Sequence, residues 1–325
     1  FYACSGLTNF VIPNSVTSIG SSAFSDCWKL TDIAIPASVT MIGARVFLGC
    51  SSLREITVDD LNSSYSSSDG VLFDKNQSTL LQYPPGKTGD YIVPLSVTTL
   101  GSGAIDYCAK LTGVEIGNGV RNIGDSQFAN CSALTNVVIG SGVTNIGNSA
   151  FTGCLNLTGV TIGSGVRNIA TSAFANCANL NAFVVDVFNP SYSASDGVLF
   201  DKNQAVINQY PPGRMGGYTA PSTVTSIGNF AFRNCSKLNS IVLTDGVTNI
   251  GVSAFIGCNN LSEVTIGSSV GSIGSSAFYG CAKLHRITIP DSVTSIGDSA
   301  FYLCTSLTNI AFGNSCAAIG PSAFY

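Results

Sequence analysis

Residues 131–151 read C-S-A-L-T-N-V-V-I-G-S-G-V-T-N-I-G-N-S-A-F. Val137 and Ile139 are two positions apart, so an extended backbone sends both side chains to the same face, with Leu134 leading the chain in. Gly140 closes that run. Val143 and Ile146 begin a second extended stretch, and Gly147 permits a turn that a side chain would resist. A segment this short cannot bury its apolar residues alone, so copies must stack to make a continuous core.

The copies are present. Cys4, Cys27 and Cys50, then Cys108, Cys131, Cys154 and Cys177, then Cys235, Cys258, Cys281 and Cys304 advance by 23 residues, except for two steps of 58. The same steps govern the large apolar residue that precedes each cysteine: Phe1, Phe24, Phe47, Ile105, Phe128, Phe151, Phe174, Phe232, Phe255, Phe278, Phe301 and Phe324. This register accounts for the chain from end to end. The expectation is one β-rich solenoid over residues 1–325, with stacked 23-residue coils and a parallel sheet.

The long steps carry insertions near 59–93 and 186–220. Residues 62–87 and 189–214 lie 127 residues apart and share S-D-G-V-L-F-D-K-N-Q, followed by Q-Y-P-P-G, which marks a higher-order duplication. In each, V-L-F, the polar D-K-N-Q and the stretch ending in Gln-Tyr read as a β-hairpin. That hairpin either projects from the solenoid or adds an irregular coil.

Composition fits this picture. Of 325 residues only 10% are charged and 45% are hydrophobic, and 14 basic against 18 acidic side chains leave a net charge of −4. That excludes a nucleic-acid binder's charge pattern. No apolar run reaches the length of a membrane-spanning helix, so no membrane insertion is expected. Without an initiating Met or a leader, the chain reads as a mature or excised piece of a longer one.

The pattern resembles the BspA-like branch of leucine-rich-repeat proteins. Val11 to Phe24, V-I-P-N-S-V-T-S-I-G-S-S-A-F, carries that family's string, and D-G-V-L-F-D-K-N-Q with Y-P-P-G resembles its recurring module. The resemblance implies an extracellular or cell-surface location and an adhesion role toward host or matrix proteins. Local departures are Ile105 for the aromatic, Ala170 for the Gly after Ile169, and Cys316 in the slot of Val293. The asparagine ladder of other leucine-rich repeats is missing, because its slot holds Ser or Gly, as at Ser15, Ser38 and Gly142.

No constellation here reads as catalytic. His285 is the only histidine and sits in a slot that elsewhere holds Thr135, Thr158 or Ser262. Asp59, Asp60, Asp69 and Asp74 cluster near one insertion, and Asp186, Asp196 and Asp201 near the other. They lack calcium-loop spacing, and solvated loop charge is the preferred reading over a carboxylate pair. A line of single cysteines does not converge on a metal, so buried free thiols are expected, with no metal and no cofactor. Six N-x-[ST] triplets, at Asn62, Asn76, Asn130, Asn156, Asn234 and Asn260, are expected by chance in a chain this rich in Asn, Ser and Thr.

Two surfaces remain as candidates for binding. One is the outward slot of the first strand, from Val11, Ala34, Thr57 and Glu115 to Val138, Thr161, Val184, Val242, Thr265, Thr288 and Ala311. It reads equally as a contact face and as packing chosen for β-propensity. The preferred candidates are the tyrosines of the insertions, Tyr65, Tyr83 and Tyr91 in one and Tyr192, Tyr210 and Tyr218 in the other, expected to be exposed. Against this stands a covering role for Tyr83 and Tyr210 beside Pro84 and Pro211. The expected function is a non-catalytic module for a matrix or cell-surface protein or a glycan. The alternative is a structural spacer or a self-assembling array, joined end to end.

Overall fold

The computed structural model of the chain describes residues 1–325 and contains strands, turns and bends but no helix. It divides into two compact units, Phe1–Cys177 and Ala178–Tyr325. In the first, Leu111–Ile116, Asn136–Ile139 and Gly159–Ile162 pair in parallel at the 23-residue offset, so that Val114, Val137 and Val160 are neighbours. These valines are buried, as are Ile116, Ile139 and Ile162, while Glu115 faces solvent and Val138 and Thr161 are half-buried. Alternation in the sequence thus becomes one buried face and one outward face. The second stretches, Asn122–Ile123, Asn145–Ile146 and Asn168–Ile169, form a second parallel ladder.

The coil closes through a turn that stacks on its neighbours. Phe128 N–H donates to Ala150 O and Phe151 N–H to Ala173 O, both at 2.8 Å. The rings of Phe128, Phe151 and Phe174 follow at 5.0 and 5.2 Å. In most turns the residue before the Ala and the residue before the Cys take positive φ, as at Ser149 (54°) and Gly153 (72°). This backbone requirement favours the Gly49, Gly257, Asn130, Asn234 and Asp26 found before the cysteine, although Ala3, Tyr107 and Leu303 adopt the same conformation there. Gly142 answers a different demand, since a Cβ there would stand 1.8 Å from Asn118 O.

All twelve cysteines are free and ten are buried. Each buried ladder thiol donates to a main-chain carbonyl one coil back, that of the aromatic slot, as Cys154 to Phe128 O and Cys177 to Phe151 O at 3.2 Å and Cys131 to Ile105 O at 3.1 Å. The slot therefore wants a small hydrophobe with a weak donor.

The second unit repeats the scheme. Its second stretches run as one ladder through Ser226–Ile227, Asn249–Ile250, Ser272–Ile273, Ser295–Ile296 and Ala318–Ile319. Phe232, Phe255, Phe278, Phe301 and Phe324 stack at 4.7 to 5.2 Å.

Each insertion is a three-stranded meander rather than a hairpin alone. Val71–Asp74 pairs antiparallel with Thr79–Gln82 as expected, and also with Tyr65–Ser68, which the sequence reading missed. Asp69-Gly70, at φ 49° and 71°, makes the two-residue turn between them. The last strand joins Thr99–Leu100 in parallel, and Val71, Leu72 and Phe73 are buried. The insertion therefore adds a coil instead of projecting. Tyr192–Ser195, Val198–Asp201 and Val206–Gln209 repeat this in the second unit.

Candidate functional site

Asn62 organises the start of the first insertion. It is buried, and its Nδ2 donates to Pro36 O and Val39 O at 2.8 and 2.9 Å while its Oδ1 accepts from Ser64 N and Tyr65 N, both at 2.9 Å. Asn189 is likewise buried and accepts from Ser191 N and Tyr192 N. At the other end a cation clips the D-G turn. Lys87 Nζ lies 3.1 Å from Asp69 Oδ2, and Arg214 Nη2 lies 2.6 Å from Asp196 Oδ2.

The insertion tyrosines are not an exposed set. Tyr83 and Tyr210 are fully buried, and Tyr91 is nearly so. Tyr83 occupies the aromatic slot of the repeat: its N–H donates to Ala104 O at 2.8 Å and its carbonyl accepts from Cys108 Sγ. Tyr210 does the same, donating to Ala231 O and stacking on Phe232 at 4.9 Å. Burial pushes the phenols of Tyr83, Tyr91, Tyr210 and Tyr218 up, with the Arg214 guanidinium opposing it at Tyr210 and Tyr218. The expectation of exposure fails at Tyr83, Tyr91 and Tyr210 because the inserted coil still needs core aromatics. Tyr65, Tyr192 and Tyr218 are half-buried. Tyr65 also accepts from Ile42 N at 2.8 Å through its hydroxyl.

The insertions also expose large apolar side chains. Leu61 is 85% exposed and Phe188, its equivalent 127 residues on, is 82% exposed. Each is held out by an Asx turn, in which Asp59 Oδ1 accepts from Leu61 N at 2.9 Å and Asp186 Oδ1 from Phe188 N at 2.8 Å. Val187, Ile92 and Met215 within the insertions and Leu95 just beyond the first are exposed as well. These residues lie outside the sequence-based candidates because only the tyrosines of the insertions were singled out there, and Phe188 was not. The signal was the D-x-[LF]-N string, an apolar residue where a turn wants polar ones.

The remaining candidates separate in space. His285 is exposed and its carbonyl accepts from Thr308 N, as the slot's other occupants do for their neighbours. Asp74 accepts from Ser78 Oγ and Thr79 N, and Asp201 from Val206 N, so these carboxylates stabilise turns. No three metal-ligating side chains converge anywhere. Asp106 stands apart: it is buried, one carboxylate oxygen has no partner, and the other is 4.0 Å from Arg45 Nη2. Burial raises its carboxyl to about 6, partly opposed by Arg45 and by the Tyr107 amide.

A family model described as the BspA type leucine rich repeat region matches six copies in this chain, over residues 1–81, 89–186 and 215–325. The crystal structure of a leucine rich cell surface protein from Faecalibacterium prausnitzii is 30% identical, covering 92% of this chain and 84% of that one with a TM-score of 0.68. A leucine-rich repeat protein from Bacteroides ovatus is 25% identical, covering 95% and 79% with a TM-score of 0.54. The pneumococcal vaccine antigen PcpA, 21% identical over 94% of this chain and 71% of that one with a TM-score of 0.62, shares the fold. No curated protein matches the chain.

Proposed function

Because the chain belongs to the BspA-type leucine-rich repeat family, we propose that it is a non-catalytic interaction and adhesion module, acting at the cell surface or outside the cell. The observation that carries this reading is the paired display of Leu61 and Phe188. An apolar side chain held in water by a formed turn costs free energy in the unbound protein, and that cost is recovered when a partner covers it. Pre-ordering by Asp59 and Asp186 also spares the partner part of the ordering entropy. Within each unit the half-buried rings lengthen its own proposed contact area, Tyr65 beside Leu61 in the first insertion and Tyr192 and Tyr218 with Phe188 in the second. The partner is a matrix or cell-surface protein or a glycan, and the role needs neither a cofactor nor nucleic acid.

The test is binding to an array of matrix proteins and glycans, with a Leu61→Ser, Phe188→Ser variant beside the parent protein. Both substitutions lie at solvent, so the fold stays intact and far-UV circular dichroism is unchanged. Saturable binding that weakens about tenfold or more in the variant is expected, as for loss of anchoring residues. Equal binding by the variant refutes the assignment to these residues, and no binding to any array member removes the module reading in favour of a structural array.

A further inference from the structure

The first insertion leaves a defect in the outer turn that the regular coils do not have. In a regular coil five positions separate the isoleucine of the second stretch from the aromatic, as from Ile146 to Phe151, whereas only three separate Leu80 from Tyr83. Leu80 occupies the isoleucine slot, since it pairs with Leu100. The inserted coil therefore lacks two residues of the turn, and the turns on either side face each other across a hollow of about 200 Å3.

Two departures from the repeat face each other at this hollow. Arg45 stands, at φ 54°, in a slot that holds Ser22, Ser126, Ser149 and Ser276 elsewhere. Gly103 replaces that serine on the opposite side, where a Cβ would come within 2.8 Å of Arg45 Cγ and Nε. Where a repeat breaks its own rule at two facing positions, local function is an explanation to test.

The hollow has a distinct chemistry. Ile42, Val46, Phe47, Leu72 and Leu81 supply apolar surface, while Arg45 and Ser102 supply donors. One coil earlier, the turn amides of Ser22 and Phe24 donate to Ala44 O and Val46 O. The equivalent amides of Arg45 and Phe47 receive no such carbonyl from the shortened coil. Two main-chain donors, a hydroxyl and a guanidinium beside apolar walls suit a carboxylate with a short hydrocarbon tail. At about 30 Å3 per heavy atom, the space takes on the order of seven such atoms.

We propose that this hollow binds a short aliphatic carboxylate, with the anion on Arg45 and its tail on Leu72 and Leu81. Asp106 is the resident counter-ion, 4.0 Å from Arg45, which the incoming carboxylate displaces. Beside the Asp106 carboxyl stand the Arg45 guanidinium and the Tyr107 amide, and within its electrostatic reach lie the Cys131 and Cys154 thiols, which burial keeps neutral. Protonation of Asp106 frees the guanidinium, so binding strengthens in mild acid.

Titration of the protein with 3-methylbutanoate, read by calorimetry and by amide shifts at Arg45, Phe47 and Ser102, tests this. Expected is saturable binding at about pH 5.5 that weakens roughly tenfold by about pH 7.5. Arg45→Gln, with unchanged circular dichroism, should lose roughly tenfold or more in affinity. Asp106→Asn should bind with no pH dependence. N-acetyl-leucine and its amide separate the sources: binding of the acid alone points to a peptide terminus, and binding of 3-methylbutanoate without N-acetyl-leucine points to a free acid. Absence of saturable binding, or equal affinity in Arg45→Gln, overturns the proposal.

Discussion

Replacing Phe151 by alanine tests the stacking register where it is most regular. The ring is fully buried and lies between Phe128 at 5.0 Å and Phe174 at 5.2 Å, each within 5° of parallel. Removing it takes away roughly 150 Å2 of apolar burial, worth about 4 kcal/mol at about 25 cal/mol per Å2. It also leaves a cavity whose walls are held by hydrogen bonds above and below. Loss of about 3 to 5 kcal/mol is therefore expected. Phe1→Ala is the internal control, because Phe1 is 57% exposed and should lose about 1 kcal/mol or less. Urea unfolding followed by circular dichroism measures both, and exchange of the Phe151 amide, bonded to Ala173 O at 2.8 Å, reports the local loss. A change below about 1 kcal/mol at Phe151, with cooperative unfolding, would refute the reasoning.

Three further outcomes are expected. Asn62→Ala removes four hydrogen bonds and leaves Pro36 O and Val39 O without that donor, so it should cost about 2 to 4 kcal/mol in thermal or urea unfolding. A loss under about 1 kcal/mol would mean the insertion is ordered by other contacts. Of the twelve thiols only Cys4 and Cys316 should react quickly with a disulfide reagent at mildly alkaline pH, since the other ten are buried, and burial pushes Cys50 up to about 12 and Cys304 to about 11 and raises Cys131, Cys154, Cys177, Cys258 and Cys281 further. Fast reaction of more than two thiols in the folded state would contradict the buried ladder. Because Asp106 is raised from 3.8 to about 6, the folded state holds a proton that the unfolded chain releases in this window. Its stabilising contribution is full below about 3.8 and is lost as pH rises through about 6. Relative to Asp106→Asn, the parent protein should lose about 1 to 2 kcal/mol between about pH 4 and pH 7, the half-open Arg45 side keeping this below the full linkage value. Parallel pH profiles would show that Asp106 titrates normally.

The repeat carried nearly all of the architecture. Val137 and Ile139 alternate with outward residues, and a 23-residue period sets their neighbours, so strand direction, register and buried face all follow from spacing. The cysteine ladder was legible for the same reason: a line of equivalent positions in a stack can be buried without converging. The D-G turn also announced the extra strand Tyr65–Ser68, although the longer D-K-N-Q loop drew the attention instead.

The insertions were legible as duplicated segments but not as surfaces. Whether Tyr83 is a ligand contact or a core ring depends on where its coil sits in the stack, and residue type says nothing about that. Leu61 and Phe188 became visible only once the Asx turns showed which way the chain carried them. Local periodicity determined the coil, because side-chain direction in a strand is a property of the backbone alone. Exposure of the inserted side chains, the burial of Asp106 and the hollow beside Arg45 were decided by tertiary structure. They depend on which coils lie above and below, and no residue's own type encodes that.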